Sequence, residues 1–451
     1  MSDRTRADEV YAELLTRQGE QWVEPRIERT RRLLEYLDDP QRTYRVIHIT
    51  GTNGKTSTAR LIESLLRSLG LRTGLFTSPH LIRFTERIVV DGEPIADAAV
   101  VQAWDEVAPF VALVDAELTE AGDAPLTFFE LLTVIAFVAF SDAPVDVAVV
   151  EVGMGGAWDS TNTADGDVAV FTPVGLDHTD RLGDTLAEIA TVKSGIIKPD
   201  AVVVSARQDD AVADVLRDAA AAAPARIAFE GSDFGLAEQR LAVGGQLLTV
   251  RGLAGEYSEL YLPLHGAHQG QNAALAVAAV EALVGAGTRE LSSEAILEAW
   301  AEVSSPGRLH LAGIEPTVLV DAAHNPHGAI ALAAALRQSF DFREWGVVLG
   351  VLEDKDVEGI VEALAPVAAH VFATAPSSER ASDEDVVADA AERRGLSVTV
   401  HRDLEDAAGS AREWAASTSG RAVVVAGSVI LAGEALALAE AQAWKGAVDG
   451  A

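Results

Sequence analysis

The chain has 451 residues, which is too long for a single hydrophobic core, so we expect two or three domains. Hydrophobic residues make up 49% of the sequence, and the formal net charge is −34. This acidity argues against nucleic acid or an anionic membrane as a partner, because the protein would be repelled over most of its surface. It still permits a local cationic pocket for a small anion.

The chain contains no cysteine, which excludes disulfides, thiolate metal sites and a cysteine nucleophile. The N-terminus, MSDRTRADEV, is polar and lacks the apolar segment of a signal peptide. The longest apolar run, near LLTVIAFVAF, is too short to span a bilayer. We therefore expect a soluble, cytoplasmic protein without a membrane partner.

Short apolar runs separated by helical patterns fill the first two-thirds of the chain. After Gly54, apolar residues recur at helical spacing as far as Gly70, a natural helix stop. Thr185 and Glu188 form a capping box that begins a helix with the sequence TLAEIATVKS. Strands that alternate with helices predict a parallel α/β sheet. The predicted strands are YRVIHIT (44–50), LRTGLFTS (71–78), VDVAVVEVG (145–153), DVAVFTPVG (167–175) and AVVVSA (201–206).

A glycine-bearing turn, GTNGKTS, joins the first predicted strand to the first helix. In this context the backbone N–H groups at a helix N-terminus face phosphates, and Lys55 reaches the β and γ oxygens. The pattern GxxxxGK[ST] is not met, because Ile49 lies where its first glycine belongs. A plain turn before a buried helix is the disfavoured alternative. The predicted phosphate-binding loop comprises Gly51, Thr52, Asn53, Gly54, Lys55, Thr56 and Ser57.

A Ser-Pro-Gly segment, EVSSPGRL at residues 302–309, predicts a linker, and a second set of strands alternates with Ala-rich helices beyond it. We therefore predict an α/β protein of two parts. The first is a P-loop ATPase domain with a parallel central sheet at residues 1–303. The second is a smaller, Rossmann-like C-terminal domain at residues 304–451.

Two charged residues allow contrasting interpretations from the sequence alone. Glu151 ends an apolar strand, where ligands gather in α/β sheets and where Mg²⁺ favours a carboxylate; the alternative is a solvated acid at a strand end. Lys193 lies late in a helix, where a cation complements the helix dipole. Lysine occurs only at positions 55, 193, 198, 355 and 445, which directs attention to its chemistry.

The loop without its first glycine resembles that of the Mur-ligase superfamily. Nine further motifs, in order from about residue 25 to the C-terminus, resemble the folylpolyglutamate synthase/dihydrofolate synthase family. They are TSPHLIRFTERIVVDGEPI, TFFELLTVIAF, VEVGMGG-WDSTN, LDHTDRLGDTLAEIATVKSGIIKP, HQGQNA, SPGRL, DAAHNPHG, VLEDKD and AGSVILAGE.

The resemblance implies an ATP-dependent ligase that adds L-glutamate to dihydropteroate, and to the γ-carboxyl of tetrahydrofolate, through an acyl phosphate. It also implies ATP and two Mg²⁺ ions as cofactors, and a monomer. Ser78, Glu151 and His178 would be the magnesium ligands. Lys193 would carry CO₂ as a carbamate, which turns a cation into an anion.

The same resemblance assigns residues around the nucleotide. Asn272 and Arg308 would meet adenine and phosphate. Asp321 and His324 would complete the site across the cleft, although a loop-stabilising hydrogen-bonded pair is an alternative. The implied catalytic residues are Lys55, Lys193, His178 and His324.

Substrate contacts are implied at two places. Lys355 and Ser428 would contact the glutamate. Phe128, Phe129 and Glu130 would line the pterin side, although phenylalanine at helical spacing also fits a plain core.

Two departures from the family pattern stand out. The family often has GGRLDATN and DGAHNP, where this chain has GGAWDSTN and DAAHNP. Ala157 removes a cation near the loop, so any role of that arginine is absent or moved. Ala322 is a small change.

Three other functions are compatible with parts of this pattern. A GTPase switch needs a guanine-reading NKxD, and no lysine here follows an asparagine. A cell-wall Mur ligase performs the same chemistry, but LDHTDRLG, EDKD and TSPHL favour the folate branch. A catalytically inactive scaffold is disfavoured by intact Lys55, Glu151, His178 and Lys193.

Overall fold

The protein is described by a computed structural model at residues 3–19, 24–301 and 303–444. We name the described residues up to 301 the N-terminal lobe and those from 303 the C-terminal lobe. No helix in these ranges has both the length and the apolar character needed to cross a membrane.

The N-terminal lobe alternates helices and strands, as predicted. Its helices are α1 (Asp3–Leu15), α2 (Ile27–Tyr36), α3 (Lys55–Ser68), α4 (Asp97–Glu120), α5 (Phe128–Asp142), α6 (Thr179–Leu182), α7 (Leu186–Ser194), α8 (Asp210–Ala222), α9 (Ala267–Gly285) and α10 (Ser293–Ala301). Its strands are β1 (Arg45–Thr50), β2 (Thr73–Phe76), β3 (Ile88–Val90), β4 (Glu93–Pro94), β5 (Val147–Glu151), β6 (Val168–Phe171), β7 (Val202–Ser205), β8 (Arg226–Phe229), β9 (Gly235–Ala242), β10 (Gly245–Arg251) and β11 (Glu256–Leu262).

Among the described residues, the central sheet has the strand order β4-β3-β2-β5-β1-β6-β7-β8. Six strands pair in parallel, in the order β2-β5-β1-β6-β7-β8. Strands β3 and β4 add an antiparallel edge next to β2. The predicted parallel sheet is confirmed, because runs such as β5 are buried along their whole length. Strand β1 lies between β5 and β6, so the carboxyl ends of all three meet at one edge.

A three-stranded antiparallel sheet, β11-β10-β9, packs on α9 and was not predicted. Glu281 of α9 is fully buried beside it. Its carboxylate accepts hydrogen bonds from the Tyr257 hydroxyl at 2.6 Å and from the backbone N–H groups of Leu253 and Ala254. Burial raises the pKa of Glu281, and these donors oppose that effect.

The C-terminal lobe is a second, smaller α/β unit, as predicted. Its strand order is β12-β13-β17-β14-β15-β16, parallel except for β12 at the edge. The strands are β12 (His310–Gly313), β13 (Val318–Val320), β14 (Glu344–Leu349), β15 (Ala368–Ala373), β16 (Ser397–Val400) and β17 (Arg421–Ala426). The helices are α11 (Pro326–Ser339), α12 (Val357–Leu364), α13 (Glu384–Arg393), α14 (Leu404–Ala416) and α15 (Val429–Ala441). The domain boundary at 303/304 stays a prediction.

The lobes touch through the loop that follows β2. Leu81 of this loop packs against the apolar core of the C-terminal lobe. A Cβ atom on Gly433 of α15 would lie 2.0 Å from the Leu81 carbonyl oxygen. Any side chain at position 433 would therefore push the loop away from the helix.

We expect Gly433→Ala to lower the free energy of unfolding by about 1–3 kcal/mol, because the added methyl group overpacks this contact. Gly409 provides the matched control, since it lies inside α14 with no atom within 4 Å of the position its Cβ would take. Gly409→Ala should stabilise the protein by about 0.5–1 kcal/mol through helix propensity alone. Denaturant unfolding of both variants tests this; two shifts of the same sign would contradict it.

Candidate functional site

A cavity of about 1350 Å³ lies at the carboxyl ends of β1, β5 and β6 and extends between the lobes. Every residue that the sequence predicted for the site lines this cavity. Ligands are expected at this edge of a parallel sheet, because the loops that follow the central strands converge there. The observed placement does not by itself assign a role to each residue.

The phosphate loop has glycine where no side chain fits. Gly51 has φ +147°, and a Cβ atom there would lie 1.9 Å from Oγ1 of Thr172 at the end of β6. Gly54 has φ +89°, and its Cβ would lie 2.8 Å from Oδ1 of Asn272. The loop backbone is thus held between β6 and α9. This close approach explains why the glycines fall at positions 51 and 54.

Two lysines bind the same loop carbonyl. Lys55 donates to the backbone oxygens of Gly51 at 3.3 Å and Thr52 at 3.2 Å. Lys193, at the end of α7 and only 4% exposed, donates to the Gly51 oxygen at 2.8 Å. Burial, with a smaller effect of the nearby Lys55 charge, lowers the pKa of Lys193 to about 7. The Lys193 amine is therefore easily deprotonated.

Glu151 ends β5 beside the loop and is 1% exposed. Its carboxylate accepts hydrogen bonds from the Thr56 hydroxyl at 2.9 and 3.0 Å and from the backbone N–H of Ser78. Burial raises the pKa of Glu151, and the Lys55 charge and these hydrogen bonds only partly offset it. A carboxylate so desolvated is a hard oxygen ligand that a cation would stabilise.

The residues around Glu151 fit magnesium rather than a metal held by many side chains. The described residues contain no group of three or more His, Cys, Asp or Glu side chains that could hold a metal ion. Mg²⁺ takes one or two carboxylates and completes its shell with phosphate oxygens and water. Glu151 with the hydroxyl groups of Ser78 and Thr56 provides such a set.

His178 is the N-cap residue directly before α6 and has a left-handed backbone, φ +51°. Its side chain is 35% exposed and lines the cavity. Burial lowers the pKa of His178 to about 4, although the adjacent Asp177 charge acts in the opposite direction. The imidazole is therefore neutral near pH 7, which is the form that binds a metal ion.

Asp177 was not singled out from the sequence, yet it contacts several predicted residues. Its carboxylate accepts a hydrogen bond from Lys355 of the C-terminal lobe at 3.1 Å and lies 3.9 Å from both His178 and His324. Burial opposes ionisation of Asp177, but His178, Lys355 and His324 outweigh it and hold the pKa well below its usual range. The hydrogen bond between Lys355 and Asp177 joins the two lobes across the cavity.

Asp321 and His324 each bind backbone groups. Asp321 accepts from the N–H groups of Leu309 and Ala323, both at 2.9 Å. His324 Nδ1 lies 2.9 Å from the Ala322 carbonyl oxygen, which fixes the proton on Nδ1 and leaves Nε2 as an acceptor. Burial lowers the pKa of His324. These contacts stabilise the loop after β13 and still present the imidazole to the cavity.

The predicted adenine and phosphate contacts lie near the lobe junction. Asn272 donates to Gln269 at 3.1 Å, one helical turn earlier on α9. Arg308 donates to the Gly307 carbonyl at 2.9 Å and lines the cavity. Ser57 of the loop shares a 2.9 Å hydrogen bond with Ser305 of the linker. The linker is therefore attached directly to the phosphate loop.

An aromatic wall closes another part of the cavity. Phe128 is 4% exposed and meets Tyr11 of α1 edge-on, with ring centroids 6.1 Å apart. A Cβ on Gly153 would lie 2.5 Å from the Phe129 ring, so glycine lets that ring approach β5. Glu130 caps α5, accepting from Thr127 N–H at 2.7 Å. Glu130 thus has a structural role in addition to its position on the cavity.

Two further residues complete the cavity at the C-terminal lobe. Lys355 lies in the turn before α12, paired with Asp177 and, at 3.4 Å, with Asp354. Ser428 caps α15, accepting from Leu431 N–H at 2.9 Å. Of the two departures, Ala157 is exposed beside Gly195, whereas Ala322 is buried near Gly307. Ala322 is therefore part of the packing between linker and core.

Sequence reasoning missed the residues that join the lobes. Asn53 lies 2.9 Å from His327 Nδ1 and 3.3 Å from Asn325, so the phosphate loop itself touches α11. Their positions in the sequence could have indicated these residues in part. Asp177 directly precedes His178 in LDHT, and Asn325 and His327 lie inside DAAHNPHG. Their mutual contacts depend on how two separate sheets face each other.

Two family models match the chain. The Mur ligase middle domain matches residues 49–280, which is half of the chain, and the Mur ligase, glutamate ligase domain matches residues 307–429. The first match contains the phosphate loop and Glu151. The second contains Asp321, Lys355 and Ser428.

Named relatives agree with these matches. A dihydrofolate synthase/folylpolyglutamate synthase of Mycobacterium tuberculosis is 47% identical over 439 residues, covering 92% of this chain and 90% of the relative. One of Bacillus subtilis is 35% identical over 373 residues, covering 82% of this chain and 85% of the relative. A solved structure of Mycobacterium tuberculosis folylpolyglutamate synthase complexed with ADP has a TM-score of 0.92 at 45% identity, covering 97% of this chain and 99% of that one. This chain belongs to the dihydrofolate synthase/folylpolyglutamate synthase family of the Mur ligases.

Proposed function

We propose that this protein is an ATP-dependent ligase that adds L-glutamate to dihydropteroate, giving dihydrofolate, and to the γ-carboxyl of tetrahydrofolate. One observation carries the proposal: Lys55 and Lys193 converge on the phosphate loop beside buried Glu151, in a cavity that reaches Lys355 of the other lobe. The names of the relatives favour folate substrates over the cell-wall peptide alternative.

The chemistry follows from the difficulty of making an amide from a carboxylate. An oxygen of the acceptor carboxylate attacks the γ-phosphorus of ATP, ADP leaves, and an acyl phosphate forms. The glutamate amine then attacks the acyl carbon, phosphate leaves, and the nitrogen loses a proton. Lys55 at the N-terminus of α3 stabilises the charge that develops on the transferred phosphoryl group. His324, neutral and with Nε2 as an acceptor, takes the proton.

Magnesium fits the donor set at the end of β5. Glu151, Ser78 and His178 would hold the ions together with nucleotide oxygens, with Thr56 as a further hydroxyl ligand. When bound, the ions would neutralise phosphate charge. The desolvated carboxylate of Glu151 supports this assignment, because burial disfavours its charge until a cation is close.

A carbamate on Lys193 is supported by the state of its amine. With a pKa of about 7, roughly half of the amine is unprotonated at neutral pH and can attack the carbon of CO₂. The amine nitrogen bonds to that carbon and loses a proton, which gives an anion next to the phosphate loop. Such an anion would orient the magnesium ions and their water ligands.

The remaining assignments rest on position in the cavity. Asn272, Arg308 and Asp321 are assigned to the nucleotide, Lys355 and Ser428 to the incoming glutamate, and Phe128, Phe129 and Glu130 to the pterin side. The net charge of −34 supports the absence of a nucleic-acid partner. The monomeric state and the cytoplasmic location stay predictions.

ADP release should require both L-glutamate and an acceptor, because ATP is consumed only when a carboxylate is phosphorylated and then captured. The test is a coupled ADP assay on one preparation with dihydropteroate and with tetrahydrofolate, followed by mass spectrometry of the products. Equal ADP release without acceptor would contradict the acyl-phosphate route. Turnover with one acceptor alone would limit the enzyme to that activity.

Lys193→Arg and Lys193→Met should each lose at least about 100-fold in turnover, because neither side chain forms a carbamate. Lys198→Met is the matched control, since Lys198 is not part of the cavity lining and contacts the Asn162 carbonyl at 3.1 Å and Asp165 at 3.9 Å. The wild-type enzyme should depend more on added bicarbonate at about pH 6 than at about pH 8, since protonation below the lowered pKa blocks the amine. Full activity of Lys193→Arg would contradict the carbamate and would show that Lys193 acts only as a cation at the helix end.

Glu151→Gln should abolish turnover, because a neutral amide is a weaker ligand for Mg²⁺ than a carboxylate. Glu281→Gln should behave in the opposite way. It lies outside the cavity, so turnover is kept, but the amide cannot accept all of its present hydrogen bonds and the midpoint falls. Activity assays and thermal unfolding of both variants measure this; an active Glu151→Gln enzyme would refute the magnesium assignment.

A further inference from the structure

Asp177 is the point at which the two lobes share one buried charge. It lies in the loop between β6 and α6, and its side chain is 12% exposed. One carboxylate oxygen accepts from the Lys355 ammonium and from the backbone N–H of His178 at 3.0 Å. The other accepts from Asn325 of the C-terminal lobe at 3.2 Å. A single carboxylate thus fixes one group on its own loop and two across the cleft.

Lys355 has a competing partner. Asp354, its neighbour in the C-terminal lobe, lies 3.4 Å away but is 40% exposed and also pairs with Arg380 at 2.7 Å. Asp177 holds the ammonium where only 10% of the side chain is exposed. Water screens the Lys355–Asp354 pair more than the Lys355–Asp177 pair. The attraction to Asp177 therefore orients the Lys355 ammonium into the cleft.

The same cluster is connected to the nucleotide side. Asn325 donates through Nδ2 to both Asp177 and Asn53 of the phosphate loop, while its Oδ1 caps α11 by accepting from Gly328. The orientation of Asn325 is therefore fixed from three directions. His324, one residue earlier, lies 3.9 Å from Asp177. Movement of Asp177 would disturb both the α11 terminus and the loop that carries His178.

We propose that Asp177 is a positioning residue that couples the two halves of the site: it holds Lys355 ready for the incoming glutamate and fixes the loop of His178 at the same time. The juxtaposition of Asp177, Lys355 and Asn325 carries the inference, which rests on the proposed function for the identity of the donor. Asp177 touches neither ATP nor the reacting atoms in this assignment. It acts through Lys355 and His178.

The kinetic test compares wild type, Asp177→Asn, Lys355→Met and the double variant. We expect Asp177→Asn to raise KM for L-glutamate at least about tenfold and to lower kcat, because Lys355 then turns toward Asp354. The Kd for ATP, measured without acceptor or glutamate, should rise by a clearly smaller factor than KM for L-glutamate, because Asp177 reaches the nucleotide side only through the His178 backbone and Asn325. In the Lys355→Met background, Asp177→Asn should raise KM less than about twofold further.

Asp184→Asn is the matched control, since Asp184 is an exposed acid seven residues further along the same connection. It should leave KM unchanged. If the increase in KM of the double variant equals the product of the increases in the two single variants, the two residues act independently and the proposal is overturned. An equal loss of ATP affinity in Asp177→Asn would show general damage and would also overturn the proposal.

A second measurement separates this inference from the proposed function. Thermal midpoints of the same four proteins without ligand should be non-additive, because each single variant already breaks the shared ion pair. Additive midpoints would overturn the pairing itself. Failure of wild type to consume glutamate with either acceptor would instead refute the proposed function, while the non-additivity of the midpoints would remain.

Discussion

The site depends on the close contact between the backbone of Gly51 and the end of β6. Because Gly51 has no Cβ, its backbone lies directly against Thr172. Hydrogen bonds from Thr52 to the Pro173 and Gly175 carbonyls hold the loop at the sheet edge. The Gly51 carbonyl is therefore held where the buried amine of Lys193 reaches it from α7. The same position puts the start of α3 beside Glu151, so the phosphate-binding backbone, two lysines and a carboxylate share one small volume.

Charge distribution makes this volume unusual in an acidic protein. Of the four lysines among the described residues, Lys55, Lys193 and Lys355 line the cavity. Each interacts there with a buried or partly buried group, and Lys193 loses part of its charge through desolvation. A strongly negative surface repels anions such as ATP and folates. Salt screens this repulsion at distances greater than about 8–10 Å. Local cations then decide binding.

Much of the fold was predictable because the central strands are buried on both faces. A strand buried on both faces is a continuous apolar run, which can be recognised from local sequence alone. The run 145–153 is an example, and β5 lies within it. The three-stranded sheet at 235–262 was missed, since burial along β9 alternates irregularly and the pairing of β9 with β10 contains a shift in register. Local sequence does not encode which face such a hairpin covers.

Predicting the site depended on chemistry local to a motif. GTNGKTS and Glu151 follow strands, so their place at the sheet edge could be predicted from connectivity. Asp177 could not be recognised in this way, because its importance comes from Lys355, which is 178 residues away in sequence and on another sheet. The low pKa of Lys193 was equally hidden, since a helix-end lysine is usually solvated and only tertiary packing buries it.

The contact between Leu81 and Gly433 has a consequence for how such proteins diverge. The loop after β2 also carries Ser78, so a residue that lines the cavity and a glycine near the opposite end of the chain are linked through one steric constraint. Recombination that joins the N-terminal lobe of one relative to the C-terminal lobe of another must preserve both partners. A chimera with alanine or a larger residue at position 433 would inherit an intact phosphate loop with a displaced Ser78, and would be selected against even though each half came from a working enzyme.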